Sequence, residues 1–294
     1  MLPNFFVIGA MKSATTSLCA LLSNHPDIYF SPYKEPSFFN RDDHYLGEGM
    51  GFYEAMFEGA RGEKAIGEGS TQYSRAALFP QVAGRIAEHV PHGKIIYMVR
   101  HPIDRIESQY SQRLNNGQTI QPFLKDIRKH PEHYLDTSDY WTQINVYRQF
   151  FADDKILILY FDEFRKEPDS VVRQCLEFLE VDPEISIDRT ESKKNPRSLH
   201  QQDTHALSMI KSVPFMNKLK LLAPKAFRQA VRRKLRKSVE HSADWDTETL
   251  QWVIDELQAN TQKFLSFYGK PEDYWALDTS RIDSQPSAEA DGRS

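Results

Sequence analysis

Cysteine is nearly absent: Cys19 and Cys175 are the two in the chain, far apart and both within helical patterns. That excludes a disulfide framework and a cysteine-based metal site, and it fits a reducing compartment. Long apolar runs are missing too, since nothing approaches the roughly 20 residues that span a bilayer. The first run, Phe5–Ile8, has no basic stretch before it and is not a signal-peptide pattern. The expectation is a cytoplasmic protein with no membrane span. Charge of one sign is not in excess, because 37 basic and 41 acidic residues leave a net −4. No nucleic-acid partner is expected on that balance. Core material is plentiful, with 40% hydrophobic and 12% aromatic residues in 294, so a large core is within reach.

Through the first 180 residues, short apolar runs alternate with helical patterns. Phe5–Ile8, Ile28–Phe30, Ala65–Gly67, Ile95–Val99 and Ile156–Phe161 read as buried strands. Residues 16–24, about 76–89, 102–115, 141–152 and 168–179 read as the helices between them. Such alternation predicts an α/β fold: a central, mostly parallel sheet of about five strands with helices on both faces. One domain over 1–277 is expected. It includes a segment, 204–239, that has ten Lys or Arg and no Asp or Glu. There Phe227, Val231, Leu235 and Val239 recur every four residues, which gives one packing face and one basic face. Gln118–Tyr140 is polar with scattered His and Pro and reads as an excursion from the core. Asp278–Ser294 is polar without periodicity and reads as a disordered tail.

In parallel sheets ligands bind at the carboxyl ends of strands. After the first strand comes Gly9–Leu18, G-A-M-K-S-A-T-T-S-L, which leads directly into a helix. A turn of this kind presents backbone N–H groups, a positive helix end and Lys12 to one anion. It lacks the Walker pattern G-x-x-x-x-G-K-[ST]. Ala14 stands at the second glycine, Thr15 at the lysine and Thr16 at the Ser/Thr position. The loop suits a phosphate but not a Mg-triphosphate.

After the second strand, S-P-Y-K-E-P-S-F-F-N places Glu35 beside the phosphate loop. It reads either as a surface charge paired with Lys34 or as a general base, which Phe38 and Phe39 would anchor in a partly apolar setting. The fourth strand ends in V-R-H-P-I-D-R-I-E-S-Q-Y. Pro102 suits a first helical turn, and Ile106, Tyr110 and Leu114 form a buried stripe that leaves Asp104 and Ser108 on another face. Arg100 and Ser108 then converge on a second anion, unless Arg100 is only ion-paired at the sheet edge. The strand carries no terminal Asp of the Walker B kind, so no magnesium ligand is evident. Lys193 and Lys194, in E-S-K-K-N-P-R-S, read alone as solvated charges.

These segments together resemble the sulfotransferases that use 3′-phosphoadenosine 5′-phosphosulfate (PAPS). The loop at Gly9–Leu18 is similar to their 5′-phosphosulfate loop, and the Arg100 segment to their 3′-phosphate segment. K-E-P-S-F-F-N resembles the acidic loop of the carbohydrate branch, that of the heparan sulfate N- and 3-O-sulfotransferase domains and their bacterial relatives. W-T-Q-I-N-V-Y-R-Q-F-F, I-L-I-L-Y-F-D-E-F and C-L-E-F-L-E-V-D follow in that branch's order. The resemblance runs from about Phe5 to Arg197, with a weaker echo near Tyr268–Trp275.

It implies a P-loop-like three-layer fold and sulfuryl transfer from PAPS, with no metal required. The acceptor it implies is a glycan, a glycolipid or another hydroxyl- or amine-bearing small molecule. Glu35 is then the base and Lys12 neutralises the leaving phosphate. The N–H groups of residues 12–17 (Lys12, Ser13, Ala14, Thr15, Thr16, Ser17) and the hydroxyls of Thr15 and Thr16 hold the 5′-phosphate. Arg100 and Ser108 hold the 3′-phosphate, and Lys193 and Lys194 close over it. Two departures stand beside these matches. Ala14 replaces a frequent glycine where the helix begins, and Gly69 in G-E-G-S-T-Q-Y replaces the lysine of the heparan enzymes, which leaves Glu68 as a second acidic candidate. The rival readings are a metal-dependent P-loop kinase, with Asp104 enlisted for magnesium, and a non-catalytic nucleotide-binding module.

Overall fold

Phe5, Phe6, Val7 and Ile8 are all fully buried, as a strand covered on both faces requires. A computed structural model describes residues 1–116, 118–119, 121–185 and 243–283. Five strands form one parallel sheet in the order β2-β3-β1-β4-β5. They are β1 (Phe5–Gly9), β2 (Ile28–Phe30), β3 (Ala65–Gly69), β4 (Lys94–Val99) and β5 (Ile156–Tyr160). Phe5 aligns with Gly67 of β3 and with Lys94 of β4, which makes β1 the central strand. All five strands expected from the apolar runs are present.

Alternation along β1 divides the core. Phe5 and Val7 face α1 (Thr15–Leu22) and α9 (Pro168–Phe178), where Leu18, Leu22, Val172 and Leu176 are buried. Phe6 and Ile8 face the other layer with Ile86 of α3 (Val82–His89) and Ile144 of α7 (Tyr140–Arg148). The same layer takes in Phe38, Phe39, and Tyr53 of α2 (Gly49–Ala55). A third cluster joins α4 (Pro102–Asn115), α5 (Phe123–Lys129), α6 (Pro131–Ser138) and α10 (Thr247–Phe267). Between β5 and α9 lies the short α8 (Phe161–Lys166).

Three expectations are corrected. The stretch Gln118–Tyr140 is not an excursion, because α5 and α6 bury Phe123, Ile127, Tyr134 and Leu135 against α10. Buried polar groups hid that pattern: Asp126 accepts from Arg113 Nε at 3.2 Å and from Thr119 Oγ1 at 2.7 Å. Helix α10 extends over 21 residues in a region where no element was expected. The tail begins with structure, since Ser280–Asp283 form a helical turn, α11, that docks on α4 through Arg281. Lys193, Lys194 and the basic segment 204–239 lie outside the described residues. Among the described residues, no helix is long and apolar enough to cross a membrane.

Candidate functional site

The chain leaves β1 at Gly9, whose φ of +152° and lack of Cβ let Ser74 Oγ into the space a side chain would fill, 2.0 Å from an added Cβ. Two more residues of the loop take left-handed backbone, Lys12 at φ 73° and Ala14 at φ 64°. Left-handed turns of this kind suit the presentation of successive N–H groups to an anion. Ser13 N–H bonds Ala10 O, and Ser17 and Leu18 bond Ala14 O. Among the described residues, the N–H groups of Ala14, Thr15 and Thr16 have no backbone acceptor. Ser13 is fully buried and its Oγ has no hydrogen-bond partner among the described residues. Unused donors, an unpartnered hydroxyl and a helix N-terminus make a seat for a tetrahedral anion. Thr15 is buried, whereas Thr16 and Ser17 face solvent.

Lys12 is half-buried at the front of this seat. Burial, followed by the charges of Arg100, Arg105 and Lys34, lowers its pKa. Arg100 joins the loop from the end of β4, where its Nη1 donates to Lys12 O at 3.4 Å and its guanidinium lies 4.7 Å from the Phe161 ring. Its Nε is buried without a partner among the described residues. The structure therefore brings Lys12 and Arg100 together. Ser108 stands half-buried on α4, one turn after Asp104.

Glu35 sits on the β2–α2 connection in left-handed backbone, φ 53°, as does Ser37 at φ 52°. Its Oε2 accepts from Thr71 N–H at 3.1 Å and Thr71 Oγ1 at 2.9 Å. Its Oε1 has no partner among the described residues. Thr71 opens the 3₁₀ turn Thr71–Ser74, which bears on the phosphate loop: Gln72 Nε2 reaches Met11 Sδ at 4.0 Å, and Ser74 closes on Gly9. One short turn thus links the carboxylate to the anion seat.

Beneath that turn lies a group the sequence reading undervalued. Glu68 is fully buried and accepts three O–H bonds, from Tyr53 at 2.6 Å, Tyr73 at 2.8 Å and Ser70 at 2.6 Å. Because those protons point at Glu68, the hydroxyl lone pairs are free for the Glu35 loop. Ser37 N–H donates to Ser70 Oγ at 2.9 Å and Phe38 N–H to Tyr73 Oη at 3.1 Å. Burial raises the Glu68 pKa, and its three hydroxyl donors oppose that shift. With no exposure and every oxygen engaged, Glu68 is an internal anchor, not a second base. The hint was the S-T-Q-Y run immediately after β3. Gly69 also has a local reason, since an added Cβ would press on Cys19 Sγ of α1 at 2.9 Å.

Residues 2–259 match the family description "Sulfotransferase domain". The chain belongs to the sulfotransferase family. It is 27% identical over 205 residues to the bifunctional heparan sulfate N-deacetylase/N-sulfotransferase 4 of Mus musculus, which covers 62% of this chain. It is 38% identical over 112 residues, 37% of the chain, to the membrane-associated sulfotransferase kil1 of Dictyostelium discoideum. The chain spans 23% and 22% of the length of these two relatives. Among solved structures, a sulfotransferase from Alicyclobacillus acidocaldarius superposes with a TM-score of 0.67 at 24% identity, covering 94% of this chain and 99% of that one. The kinase expectation fails with this membership, and the structure agrees: Asp104 receives Arg281 Nη1 at 2.6 Å.

Proposed function

We propose that this sulfotransferase moves a sulfuryl group from PAPS to a hydroxyl or amine of a carbohydrate or glycoconjugate, with Glu35 as general base. One observation carries the reading: the turn that fixes Glu35 through Oε2 also abuts the phosphate loop, and it leaves Oε1 for an incoming proton. The unused N–H groups and Ser13 Oγ suit the donor's 5′-phosphate, and Arg100 with Ser108 suits its 3′-phosphate. When bound, PAPS supplies the sulfuryl group: a bond from sulfur to the acceptor forms as the bond from sulfur to the 5′-phosphate oxygen breaks, releasing 3′,5′-adenosine bisphosphate (PAP). Glu35 takes the acceptor's proton. Lys12 places positive charge beside the oxygen that leaves, where electrostatic stabilisation contributes most. Similarity to heparan sulfate N-sulfotransferases supports a sugar acceptor. The reading needs no metal, because Lys12, Arg100 and the α1 N-terminus carry the positive charge, and the two widely spaced cysteines support a place in the reducing cytoplasm.

The test is calorimetric binding of PAP against ATP, with and without magnesium or EDTA, followed by turnover of PAPS on a panel of glycans. Tight PAP binding that ignores EDTA is expected. Glu35→Ala should lower turnover by about 10²–10⁴-fold, the scale of general-base catalysis, and leave PAP affinity unchanged. Preference for Mg-ATP would overturn the donor assignment. Loss of PAP binding in Glu35→Ala would overturn the role of Glu35. PAP binding without turnover on any glycan would overturn the carbohydrate acceptor, and turnover of no hydroxyl or amine acceptor at all would favour a non-catalytic module.

A further inference from the structure

Asp104 places a negative charge where the proposed donor site calls for positive charge. It precedes Ser108 by four residues, so the two share a face of α4, and it follows Arg100, which stands just before the helix cap His101, by four. Its Oδ2 lies 3.8 Å from Arg100 Nη2, with both side chains less than a third exposed. Left alone, this carboxylate would engage the guanidinium and repel a phosphate.

A residue far along the chain prevents that. Trp275 is buried against Tyr140 and Phe264, and the next carbonyl, Ala276 O, accepts from His101 Nε2 at 3.1 Å. With its proton on Nε2, the neutral ring presents Nδ1 as an acceptor, and Arg281 Nη2 donates to it at 3.4 Å. Arg281 Nη1 meanwhile donates to Asp104 Oδ1 at 2.6 Å and stands 3.9 Å from Glu107. The close, charge-assisted bond goes to Arg281, and the Arg100 contact is the long one. Docking of Trp275–Arg281 on α4 thus decides which arginine Asp104 serves.

We propose that Arg281 is a positioning residue of the donor site: it holds Asp104, and so leaves the Arg100 guanidinium to the donor's 3′-phosphate. The inference rests on the assignment of Arg100 and Ser108 to that phosphate. In its absence Asp104 turns to Arg100 as an i,i+4 pair, and its charge beside the phosphate is no longer compensated.

The experiment is calorimetry of PAP, and of adenosine 5′-monophosphate as a probe without the 3′-phosphate, on the full chain. Arg281→Ala should weaken PAP binding about fivefold, the scale of one partly exposed charge pair, while Arg281→Lys retains affinity. Asp104→Asn added to Arg281→Ala should restore PAP affinity to the wild-type value or better, because the competing carboxylate is gone. Adenosine 5′-monophosphate should bind all variants alike. Unchanged PAP affinity in Arg281→Ala overturns the proposal. So does a double variant no better than the single, or an equal loss for both nucleotides, since either marks simple undocking of the segment. Arg100→Ala is the separate control: if it binds PAP as the wild type does, the donor-site assignment itself fails.

Discussion

Tyr73→Phe tests whether the buried hydroxyl network holds the Glu35 loop. The substitution removes one oxygen and no carbon, so it opens no cavity of consequence. Two bonds are lost. Glu68 loses a charge-assisted donor at 2.8 Å, and the buried Phe38 N–H loses its acceptor at 3.1 Å. The first is worth about 1.5–3 kcal/mol and the second about 1–3 kcal/mol, so a loss of about 3–5 kcal/mol in unfolding free energy is expected. At roughly 2–4 °C per kcal/mol for a chain of this size, Tm falls by roughly 10 °C. Urea unfolding followed by circular dichroism reads the first quantity and calorimetry the second. The penalty depends on pH. Burial raises the folded-state pKa of Glu68 above its unfolded value, so its stability contribution is full below the unfolded carboxylate pKa and declines as pH rises through the folded value. Tyr73 opposes that rise, so its removal lifts the folded value further and extends the decline to higher pH. Turnover should fall as the loop loosens, with PAP affinity unchanged because the anion seat lies on another loop. A stability loss below about 1 kcal/mol, an ordinary surface effect, would refute the network as anchor, and so would PAP affinity falling in step with turnover.

Two further outcomes follow from the loop itself. Ala14→Gly relieves a non-glycine residue held at φ 64° and should raise stability by about 1 kcal/mol in thermal or urea unfolding; a loss of stability would show that the left-handed turn is not strained by Ala14. The Lys12 pKa is lowered, chiefly by burial, so the amine loses its proton below the ordinary lysine range of about 10.4. PAP affinity should therefore decline on the alkaline side earlier than an unperturbed lysine allows. Lys12→Arg should move that decline to higher pH, and a pH profile unchanged by the substitution would exclude Lys12 as its source.

The strands and the two loops flanking β1 were legible because their cues are local. Phe5–Ile8 is apolar without interruption, and the residues that follow can only turn and begin a helix. The same holds for V-R-H-P after β4, where Pro102 marks the helix start. What escaped was held by partners distant in sequence. Gln118–Tyr140 reads as an excursion because Asp126 and Ser138 are buried polar residues whose partners, Arg113 Nε at 3.2 Å and Arg105 Nε at 2.6 Å, come from α4. At Ala14 local order shows only a replaced glycine, and the left-handed backbone that gives the glycine its reason appears in the fold alone.

By itself, then, the sequence determined the parallel α/β sheet, the turn after β1 proposed to bind an anion, and the candidate residues Lys12, Glu35 and Arg100, since hydrophobic period and strand-end chemistry are properties of contiguous residues. Tertiary structure alone decided that Glu68 is an anchor and not a base, that Thr71 fixes Glu35, and that Arg281 takes Asp104. Each of those outcomes depends on burial and on which hydrogen-bond donor arrives from another element, and neither is written in local order.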